Sequence, residues 1–460
     1  MYQMNFDKPS HVYFIGIGGI SMSGLAKILL DRNFKVSGSD WNRSEQTDTL
    51  ERLGAVIHFG EQKYENITPD IDVLVYTAAV HPDNPEFIHA KELNIPMMTR
   101  AEFLGELMEL FKRSVAISGT HGKTTTTTMI SEILMKASAD PTILNGGVIR
   151  SINSNTKIGH SDILVSEACE YTNSFHSFYP MYSVVMNIEE DHLDFFKDLE
   201  DIRKSFLRFM ENTKKDGFVI ANGEITALGK LTENLDRNII TFGLKPTFNY
   251  YALNITENEL GHEEYDLYKE GSLLGHITLA LPGIYNVYNS LAAAATTLTM
   301  GIPFEAVREG LLSCIGSKRR FEIKGEWNGV TILDDYAHHP TEIESTLKAA
   351  KTLKKNRIIC VYQPHTYTRT KALFPQFVDA LSHADIVVLP DIYAARETDD
   401  LNISSKDIAD ALNLRGVESY YYPSFDEVQK FLEEKCINGD LLITMGAGNV
   451  VNIGESLLKK

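Results

Sequence analysis

A short apolar run, a glycine-containing loop and a helical pattern follow one another between residues 114 and 135. Ser114 to Ser118 is predicted to be a buried strand, and Thr124 to Met135 an amphipathic helix. The loop between them reads G-T-H-G-K and ends at Lys123. A glycine loop between a strand and a helix directs backbone N–H groups and the positive helix end at an anion. This order of elements predicts an α/β fold built around a phosphate-binding loop.

The side chains of this loop indicate which phosphate compound it binds. Lys123 supplies a mobile positive charge, and the hydroxyl of Thr124 can ligate the magnesium ion that accompanies a nucleoside triphosphate. Ile117 stands where the full phosphate-loop pattern has a glycine, so the loop is the shorter form Gly119-x-x-Gly122-Lys-Thr. A glycine turn before a threonine-rich helix is the alternative interpretation. The Gly-Lys-Thr run favours binding of ATP or a relative.

Composition limits the class of protein. A chain of 460 residues predicts about three domains. The net charge of −18 argues against a nucleic-acid partner. No apolar run approaches the ~18–20 residues of a membrane span, and no secretory signal is visible. The four scattered cysteines are typical of a reducing compartment. We therefore expect a cytoplasmic protein that acts on small molecules, with neither a nucleic-acid nor a membrane partner.

The first segment has the pattern of a β-α-β unit. A strand, His11 to Ile15, leads to a turn with Gly16, Gly18 and Gly19, and a second strand ends at Asp40. This is a dinucleotide-type turn with an acidic residue after the second strand. Ser21 replaces the third glycine of the fingerprint, which weakens the case for NAD and leaves a diphosphate-bearing ligand as the prediction. A further strand, Asp72 to Tyr76, leads to a loop at 77–85 where parallel sheets usually bind ligands.

In the second segment, acidic residues follow two predicted strands. Glu167 ends the strand from Ile163, and a cluster from Glu189 to Asp194 follows the strand Ser183 to Ile188. Glu167 is predicted to hold magnesium opposite Thr124, with a solvated acid as the alternative. His192 can serve a second metal, orient a substrate or be a hydrogen-bonding core residue.

Farther along this segment, the alternating runs between 239 and 281 predict an antiparallel β patch. An Ala-rich helix, Ser290 to Thr299, follows it. Asn286 and Asn289 lie one helical turn apart just before that helix. They can hold an adenine edge or cap the helix.

The third segment alternates strands and helices again, and one of its helices is predicted from Lys371 to Leu381. The run from Asp334 to Thr341 contains Tyr336, His338 and His339 and follows a strand, which favours recognition of a polar substrate over metal ligation. Arg369 follows another strand and offers a planar fork suited to a carboxylate or a phosphate.

These motifs resemble those of the Mur ligase family, and the resemblance extends from His11 to Gly448. The matching runs in this sequence are F-I-G-I-G-G-I-S-M-S-G, S-G-S-D, T-R-A-E, G-T-H-G-K-T-T-T, N-I-E-E-D-H-L-D, R-R-F-E, D-D-Y-A-H-H-P-T-E and Q-P-H-T-Y-T-R-T. The resemblance implies an α/β protein of three domains. These are a Rossmann-like UDP-sugar-binding domain (1–112), a central P-loop-type ATP-binding domain with an antiparallel β patch (113–316), and a Rossmann-like amino-acid-binding domain (317–460).

The activity implied by the resemblance is an ATP-dependent ligation. L-alanine would be joined to the lactyl carboxylate of UDP-N-acetylmuramate through an acyl phosphate, with Mg²⁺ or Mn²⁺ as the metal and a monomer or homodimer as the assembly. A ligase that attaches a murein tripeptide to the same nucleotide sugar is the nearest alternative. A non-catalytic nucleotide-binding regulator and a dehydrogenase are alternatives from other classes.

The resemblance also implies roles for individual residues. The catalytic residues would be Lys123, Glu167 and His192, and the metal ligands Thr124, Glu167 and His192. ATP would be bound by Gly119, Thr120, His121, Gly122, Lys123, Thr124, Thr125, Asn286, Asn289 and Arg320. The UDP-sugar would be bound by Gly16, Gly18, Gly19, Ser21, Ser39, Asp40, Arg100 and Asn187. L-alanine would be bound by Tyr336, His338 and Arg369.

The sequence departs from the family pattern at four places. The usual E-A-D-E-S-D stretch is E-A-C-E-Y-T here, with Cys169 at its third position. Tyr285 replaces a histidine, Thr366 replaces an arginine, and Phe206 stands where several relatives have a modified lysine that bridges magnesium ions. The phosphate loop and Glu167 are unaffected by these departures.

Overall fold

Three β-sheets with helices packed against them make up the described part of the chain. The computed structural model describes residues 3–77, 80–193, 195–259, 261–395, 397–398 and 401–460. The sheets have five, ten and six strands and follow one another along the sequence. In the described residues no helix is long and apolar enough to cross a membrane.

The first sheet is entirely parallel and has the order β3-β2-β1-β4-β5. Its strands are β1 (His11–Ile15), β2 (Lys35–Asp40), β3 (Val56–Phe59), β4 (Val73–Tyr76) and β5 (Met97–Thr99). Its helices are α1 (Ile20–Asp31), α2 (Glu45–Arg52), α3 (Pro85–Glu92) and α4 (Arg100–Glu109). The predicted β-α-β unit is confirmed. Ala78 and Ala79 of the predicted ligand loop lie outside the described residues.

The central sheet has the order β15-β14-β13-β12-β11-β10-β6-β9-β7-β8. Its strands are β6 (Arg113–Ser118), β7 (Thr142–Ile149), β8 (Ser154–Lys157), β9 (Ile163–Glu167), β10 (Tyr182–Val185), β11 (Phe218–Asn222), β12 (Asn238–Gly243), β13 (Tyr250–Glu257), β14 (Glu263–Lys269) and β15 (Ser272–Thr278). Its helices are α5 (Lys123–Lys136), α6 (Leu199–Glu211), α7 (Leu228–Leu231), α8 (Ile284–Thr299) and α9 (Phe304–Ser313). The antiparallel patch is confirmed for β13 to β15, whereas β12 pairs in parallel with β11.

The strand predicted from Ser183 to Ile188 is shorter in the structure. It ends at Val185 because the chain then turns toward the phosphate loop. Met186 donates its N–H to the carbonyl of Ser118, and the side chain of Asn187 hydrogen-bonds the backbone of His121. The residues after β10 therefore support the phosphate loop.

The third sheet has the order β16-β17-β21-β18-β19-β20, with only β16 antiparallel to its neighbour. Its strands are β16 (Glu322–Trp327), β17 (Val330–Asp335), β18 (Ile358–Tyr362), β19 (Ile386–Leu389), β20 (Glu418–Tyr421) and β21 (Leu441–Met445). Its helices are α10 (Pro340–Thr352), α11 (Tyr367–Ala372), α12 (Phe374–Leu381), α13 (Ser405–Leu414), α14 (Phe425–Lys435) and α15 (Val451–Leu457).

The sequence pattern predicted one helix from Lys371 to Leu381, and this is wrong. The chain forms two helices there, α11 and α12, and Pro375 lies in the first turn of α12. Proline has no N–H to donate to the preceding turn and therefore favours a new helix start. The break sets the position of α11, which carries Arg369.

Candidate active site

The phosphate loop joins β6 to α5 and requires glycine at two positions. Gly119 and Gly122 have φ angles of 143° and 82°, in the region that side chains disfavour. A Cβ atom on Gly122 would lie 2.5 Å from Oδ1 of Asn289. Asn289 in turn donates to Asn286, and Asn286 donates to the carbonyl of Pro282. The two asparagines therefore connect the start of α8 to the loop.

A cleft of about 1020 Å³ lies between the phosphate loop and the third sheet. Most of the residues predicted to bind ATP line it, namely Thr120, His121, Gly122, Lys123, Thr124, Thr125, Asn286, Asn289 and Arg320. Glu167, His192, Asn187, Tyr336 and His338 line the same cleft. Residues predicted to serve different ligands thus meet in one space.

Lys123 is held in an ion pair with a buried carboxylate. Its Nζ lies 3.0 Å and 3.1 Å from the two carboxylate oxygens of Glu170, and it also donates to the carbonyl of Thr120. Burial disfavours the charged ammonium, but Glu170 outweighs this effect and holds the pKa of Lys123 above its ordinary value. Lys123 is therefore a cation at the phosphate loop.

Glu167 and Thr124 border the same short piece of backbone. The carboxylate of Glu167 accepts the N–H of Gly146 at 2.6 Å. A Cβ atom on Gly147 would lie 3.1 Å from Cγ2 of Thr124. Carboxylate and hydroxyl oxygens are the donors that Mg²⁺ prefers, so this pair fits the metal of a nucleoside triphosphate. The sequence analysis missed β7, which supplies Gly146 and Gly147.

His192 lies at the junction of two carboxylates. Its φ is 53°, and its Nε2 lies 3.7 Å from both Glu170 Oε1 and Asp191 Oδ2. Burial lowers the pKa of His192, although both carboxylates act in the opposite direction. The ring of Tyr171 lies 4.5 Å from it. Asp194, the last acid of the predicted cluster, lies outside the described residues.

A second cavity of about 410 Å³ shares Asp191 and His192 with the larger cleft. Its wall includes Arg369, whose Nε and Nη2 both lie 3.1 Å from Oδ1 of Asp191. Nη1 of Arg369 lies 3.2 Å from Nδ1 of His365. Burial lowers the pKa of His365 to about 4, and the charge of Arg369 acts in the same direction. Thr366 has a φ of 65°, which is strained for a β-branched residue.

His338 and Tyr336 line the larger cleft, and His338 lies near His365 of the smaller cavity. Burial lowers the pKa of His338 to about 3, so its imidazole is neutral at physiological pH. Its ring lies 6.0 Å from that of His365. The ring of Tyr336 lies 4.9 Å and 5.0 Å from the guanidinium carbons of Arg319 and Arg320. Of the three predicted amino-acid-binding residues, Arg369 lines the smaller cavity and Tyr336 and His338 line the larger one.

In the first sheet, the backbone of the glycine turn already has partners. Gly16 and Ile17 donate their N–H groups to the carbonyl of Ser39, and Gly18 donates to the carboxylate of Asp40 at 2.8 Å. The hydroxyl of Ser39 donates to the buried Glu86. Hydrogen bonds to Ser39 and Asp40 therefore fix the conformation of the turn.

Arg100 lies between the first sheet and the cleft. It donates to the hydroxyl of Ser21 at 3.0 Å. Burial lowers the pKa of Arg100, and the nearby Glu167 opposes this effect. Asn187 is placed differently from the other predicted sugar-nucleotide residues, because its side chain both accepts from and donates to the backbone of His121.

The four departures from the family pattern have distinct surroundings. Cys169 lines the larger cleft, and burial raises the pKa of its thiol to about 11. Phe206 is fully buried and packs edge-to-face on Phe175, so its place offers no polar group. Tyr285 is exposed at the cleft. Thr366 lines the smaller cavity beside Arg369.

Sequence reasoning gave no role to three glutamates that hold the site together. Glu170 binds Lys123, Glu189 lies 3.2 Å from Nε2 of His121, and Glu342 lies 3.7 Å from Nδ1 of the same ring. Glu342 also lies within ion-pair distance of Arg320. Glu189 and Glu342 stand in runs that matched the family pattern, and Glu170 stands three residues after the predicted metal ligand Glu167, which was the available signal.

Comparison with protein families gives three successive matches. Residues 11–112 match the Mur ligase family catalytic domain, residues 117–297 the Mur ligase middle domain, and residues 319–448 the Mur ligase glutamate ligase domain. The UDP-N-acetylmuramate–L-alanine ligase of Agathobacter rectalis is 53% identical over 460 residues and covers 100% of both chains. The corresponding ligase of Clostridium acetobutylicum is 48% identical over 459 residues, again with 100% of both chains covered.

Solved structures give the same result. The crystal structure of the UDP-N-acetylmuramate–alanine ligase of Thermotoga maritima is 29% identical, covers 98% of both chains and has a TM-score of 0.82. A murein peptide ligase of Psychrobacter arcticus covers 98% of both chains with a TM-score of 0.73, and its 23% identity shows a common fold. The chain belongs to the Mur ligase family.

Proposed function

We propose that the protein is an ATP-dependent ligase that joins L-alanine to the lactyl carboxylate of UDP-N-acetylmuramate. The products are ADP, phosphate and UDP-N-acetylmuramoyl-L-alanine. The observation that carries the proposal is the position of His192 between the cavity beside Lys123 and the cavity beside Arg369. A site that activates a carboxylate with ATP and then admits an amine needs two such adjoining spaces. Full-length relatives named for this reaction support the assignment.

We divide the chain into three functional parts for this reaction. Residues 1–112 bind the UDP-sugar, residues 113–316 bind ATP, and residues 317–460 bind L-alanine. Each part contributes one of the sheets, which supports the division. The partners are small molecules, and the negative net charge of −18 disfavours nucleic acid.

ATP lies in the larger cleft in this proposal. The N–H groups of residues 122–125 and the ammonium of Lys123 receive its phosphates, and Asn286 and Asn289 border its base. Mg²⁺, which Mn²⁺ can replace, would be held by Thr124 and Glu167, and His192 would serve a second metal ion. The metal supplies neutralising charge as two anions approach each other.

The nucleotide sugar binds across the first sheet and enters the cleft past Arg100. Its diphosphate approaches the turn at Gly16, Gly18 and Gly19, whose conformation Ser39 and Asp40 fix. Arg100, between Ser21 and the region of Glu167, is suited to guide the lactyl carboxylate toward ATP. The lactyl carboxylate and the phosphates of ATP are both anions, so their approach depends on the positive charges of Arg100 and Lys123.

The chemical sequence has two steps. A lactyl carboxylate oxygen attacks the γ-phosphorus of ATP, the bond to the β,γ-bridging oxygen breaks, and ADP leaves. The amine of L-alanine then attacks the acyl carbon of the acyl phosphate, the C–O bond to phosphate breaks, and the leaving phosphate takes up the proton that the amine loses. Lys123 stabilises the transferring phosphoryl group electrostatically. Closure of the third domain over the cleft would exclude the water that hydrolyses an acyl phosphate.

L-alanine binds in the smaller cavity, with its carboxylate on Arg369. The planar fork of arginine pairs bidentately with a carboxylate, and Thr366 leaves Arg369 as the remaining arginine of its motif. His338 and Tyr336 border the path between the cavities. His338 is neutral because burial lowers its pKa to about 3, so it can accept a hydrogen bond from the amine but is too weak a base to remove its proton.

An assay of substrate dependence tests the function. ADP formation is measured with UDP-N-acetylmuramate and, separately, L-alanine, glycine, L-serine and a murein tripeptide. The proposal predicts turnover that requires the nucleotide sugar and is fastest with L-alanine. Faster turnover with the tripeptide would favour the peptide ligase, and ADP formation without any amino acid would exclude ligation.

A further inference from the structure

A cluster of histidine and carboxylate side chains lies beside the phosphate loop, apart from Glu167 and Thr124. It consists of His121 from the loop, Glu189 from the segment after β10, and His339 at the start of α10. One ligand atom from each lies within 4.8 Å of the others. The two histidine rings are 4.6 Å apart at their centroids, and both residues are buried.

We propose that His121, Glu189 and His339 form a binding site for one divalent transition-metal ion of the zinc class, separate from the magnesium site. Two imidazoles and a carboxylate are a common ligand set for zinc, whereas imidazole suits magnesium poorly. Zinc bonds of about 2.0–2.1 Å imply ligand separations of about 3.4 Å in a tetrahedron. His121 Nε2 and Glu189 Oε2 already lie 3.2 Å apart, so His339 makes the main adjustment.

Neighbouring groups orient two of the three ligands. Nε2 of His339 lies 3.1 Å from the carbonyl of Glu190, which fixes the neutral tautomer with a lone pair on Nδ1. That lone pair has only a long contact of 3.4 Å with the N–H of Thr341. The hydroxyl of Thr341 donates to Glu189 Oε2 at 3.2 Å. Metal-binding histidines and carboxylates are held by such partners in known sites.

The charge around His121 favours a cation. Glu189 lies beside Nε2 of its ring and Glu342 Oε1 lies 3.7 Å from Nδ1 on the opposite side, so Nε2 would bind the metal while Glu342 orients the ring through Nδ1. Burial opposes protonation of His121, yet hydrogen bonds to these two carboxylates raise its pKa to about 9. A bound metal would replace the proton on Nε2 of His121 and would connect the phosphate loop to the third sheet.

Cobalt binding tests the site without any measurement of turnover. Nucleotide-free protein in excess MgCl₂ is titrated with Co²⁺ and followed by visible absorption, and Zn²⁺ is then added in competition. We expect one tight equivalent with the visible bands of tetrahedral cobalt, displaced by Zn²⁺. Near-ultraviolet thiolate-to-cobalt bands would instead indicate cysteine ligands and would overturn the proposal.

Three variants and one control assign the ligands. His339→Ala and Glu189→Gln should each weaken Co²⁺ binding at least about 100-fold, and Thr341→Val about tenfold, since outer partners affect affinity by 10–100-fold. His365→Ala, a histidine of the third sheet outside the cluster, should bind Co²⁺ as the unmodified chain does. Glu189→Gln preserves side-chain shape and guards against a folding defect in His339→Ala. Equal affinity in all four variants, or no tight equivalent in the unmodified protein, would refute the site.

Discussion

The carboxylate of Asp191 lies 3.1 Å from both Nε and Nη2 of Arg369, and the two side chains are about 7% and 10% exposed. Asp191 follows β10 of the central sheet, whereas Arg369 belongs to α11 beside the third sheet. Burial raises and Arg369 lowers the pKa of Asp191, and the net effect is a pKa well below the usual range. The pair therefore orients a permanently charged guanidinium at the wall of the smaller cavity.

Replacement of Arg369 tests the amino-acid site. Arg369→Ala should raise the KM for L-alanine at least about tenfold, because a charge-assisted hydrogen bond contributes about 1.5–3 kcal/mol. Arg369→Lys should recover only part of this loss, since an ammonium cannot pair bidentately. Steady-state kinetics with each substrate varied in turn provide the measurement.

Lys371→Ala, which removes an exposed cation of the same helix, is the matched control and should keep the KM for L-alanine. A rise confined to the KM for ATP in Arg369→Ala would instead make Arg369 a phosphate ligand. The KM for the nucleotide sugar should change little in every variant.

Replacement of Lys123 should affect both activity and stability. Lys123→Ala removes the cation that serves the transferring phosphoryl group, so ADP formation should be lost. It also leaves the carboxylate of Glu170, about 3% exposed, without its partner. Breaking a buried pair costs about 3–5 kcal/mol of unfolding free energy.

The double variant Lys123→Ala/Glu170→Gln separates the two effects. Removal of the unpaired charge should restore most of the unfolding free energy in a urea titration, while activity stays absent. Near wild-type ADP production by folded Lys123→Ala would show that Lys123 has no role in phosphoryl transfer.

The glycine turn of the first sheet should be needed for nucleotide-sugar binding alone. A Cβ atom on Gly18 would lie 2.8 Å from both Asp40 Oδ2 and Thr47 Cγ2. Gly18→Val should therefore distort the turn and break the hydrogen bond from the Gly18 N–H to Asp40. The variant should no longer bind UDP-N-acetylmuramate when the binding is measured in the absence of ATP. Affinity for ATP should be roughly unchanged in calorimetry. Leu53→Ala replaces an exposed side chain in the same part of the chain and is the control. Equal affinity of the two variants for the nucleotide sugar would contradict the assignment.

The unfolding free energy should fall on acidification because His365 is buried in the folded protein. Its pKa is lowered to about 4 in the folded protein by burial and by Arg369, from an ordinary value of about 6.5. Between these values the unfolded chain binds a proton that the folded chain does not, so stability falls as pH falls from 6.5 toward 4. His365→Asn should lose less unfolding free energy between pH 7.5 and pH 4.5 than the unmodified chain. If denaturant titrations gave the same loss of unfolding free energy for His365→Asn and for the unmodified chain, the pKa of His365 would not be lowered in the folded protein.

Local sequence patterns predicted the elements that carry the site. The strand from Ser114 and the helix after Lys123 are present with nearly the predicted bounds, because apolar periodicity and the glycine loop are local signals. The three family domains also appear in the predicted order. The proposed roles of individual residues remain predictions.

The cross-sheet pairs could not be predicted in the same way. Glu342 reaches His121 across more than two hundred residues, and Asp191 reaches Arg369 from another sheet. Nothing in the local pattern of either partner specifies the other, because these contacts depend on how the sheets pack. Glu170 pairs with Lys123 within the central domain, and the local sequence pattern does not specify that pair either. The buried ion pair in the structure identifies Glu170 as part of the site.

The acyl-phosphate step is the central claim, and oxygen transfer tests it most directly. UDP-N-acetylmuramate with ¹⁸O in its lactyl carboxylate is incubated with ATP, magnesium and L-alanine, and the released phosphate is analysed by mass spectrometry. Attack by the carboxylate on the γ-phosphorus predicts one ¹⁸O atom in each phosphate formed from doubly labelled carboxylate, and no label transfer with Lys123→Ala. Unlabelled phosphate during full turnover would contradict the account, because the carboxylate oxygen would never have bonded to phosphorus.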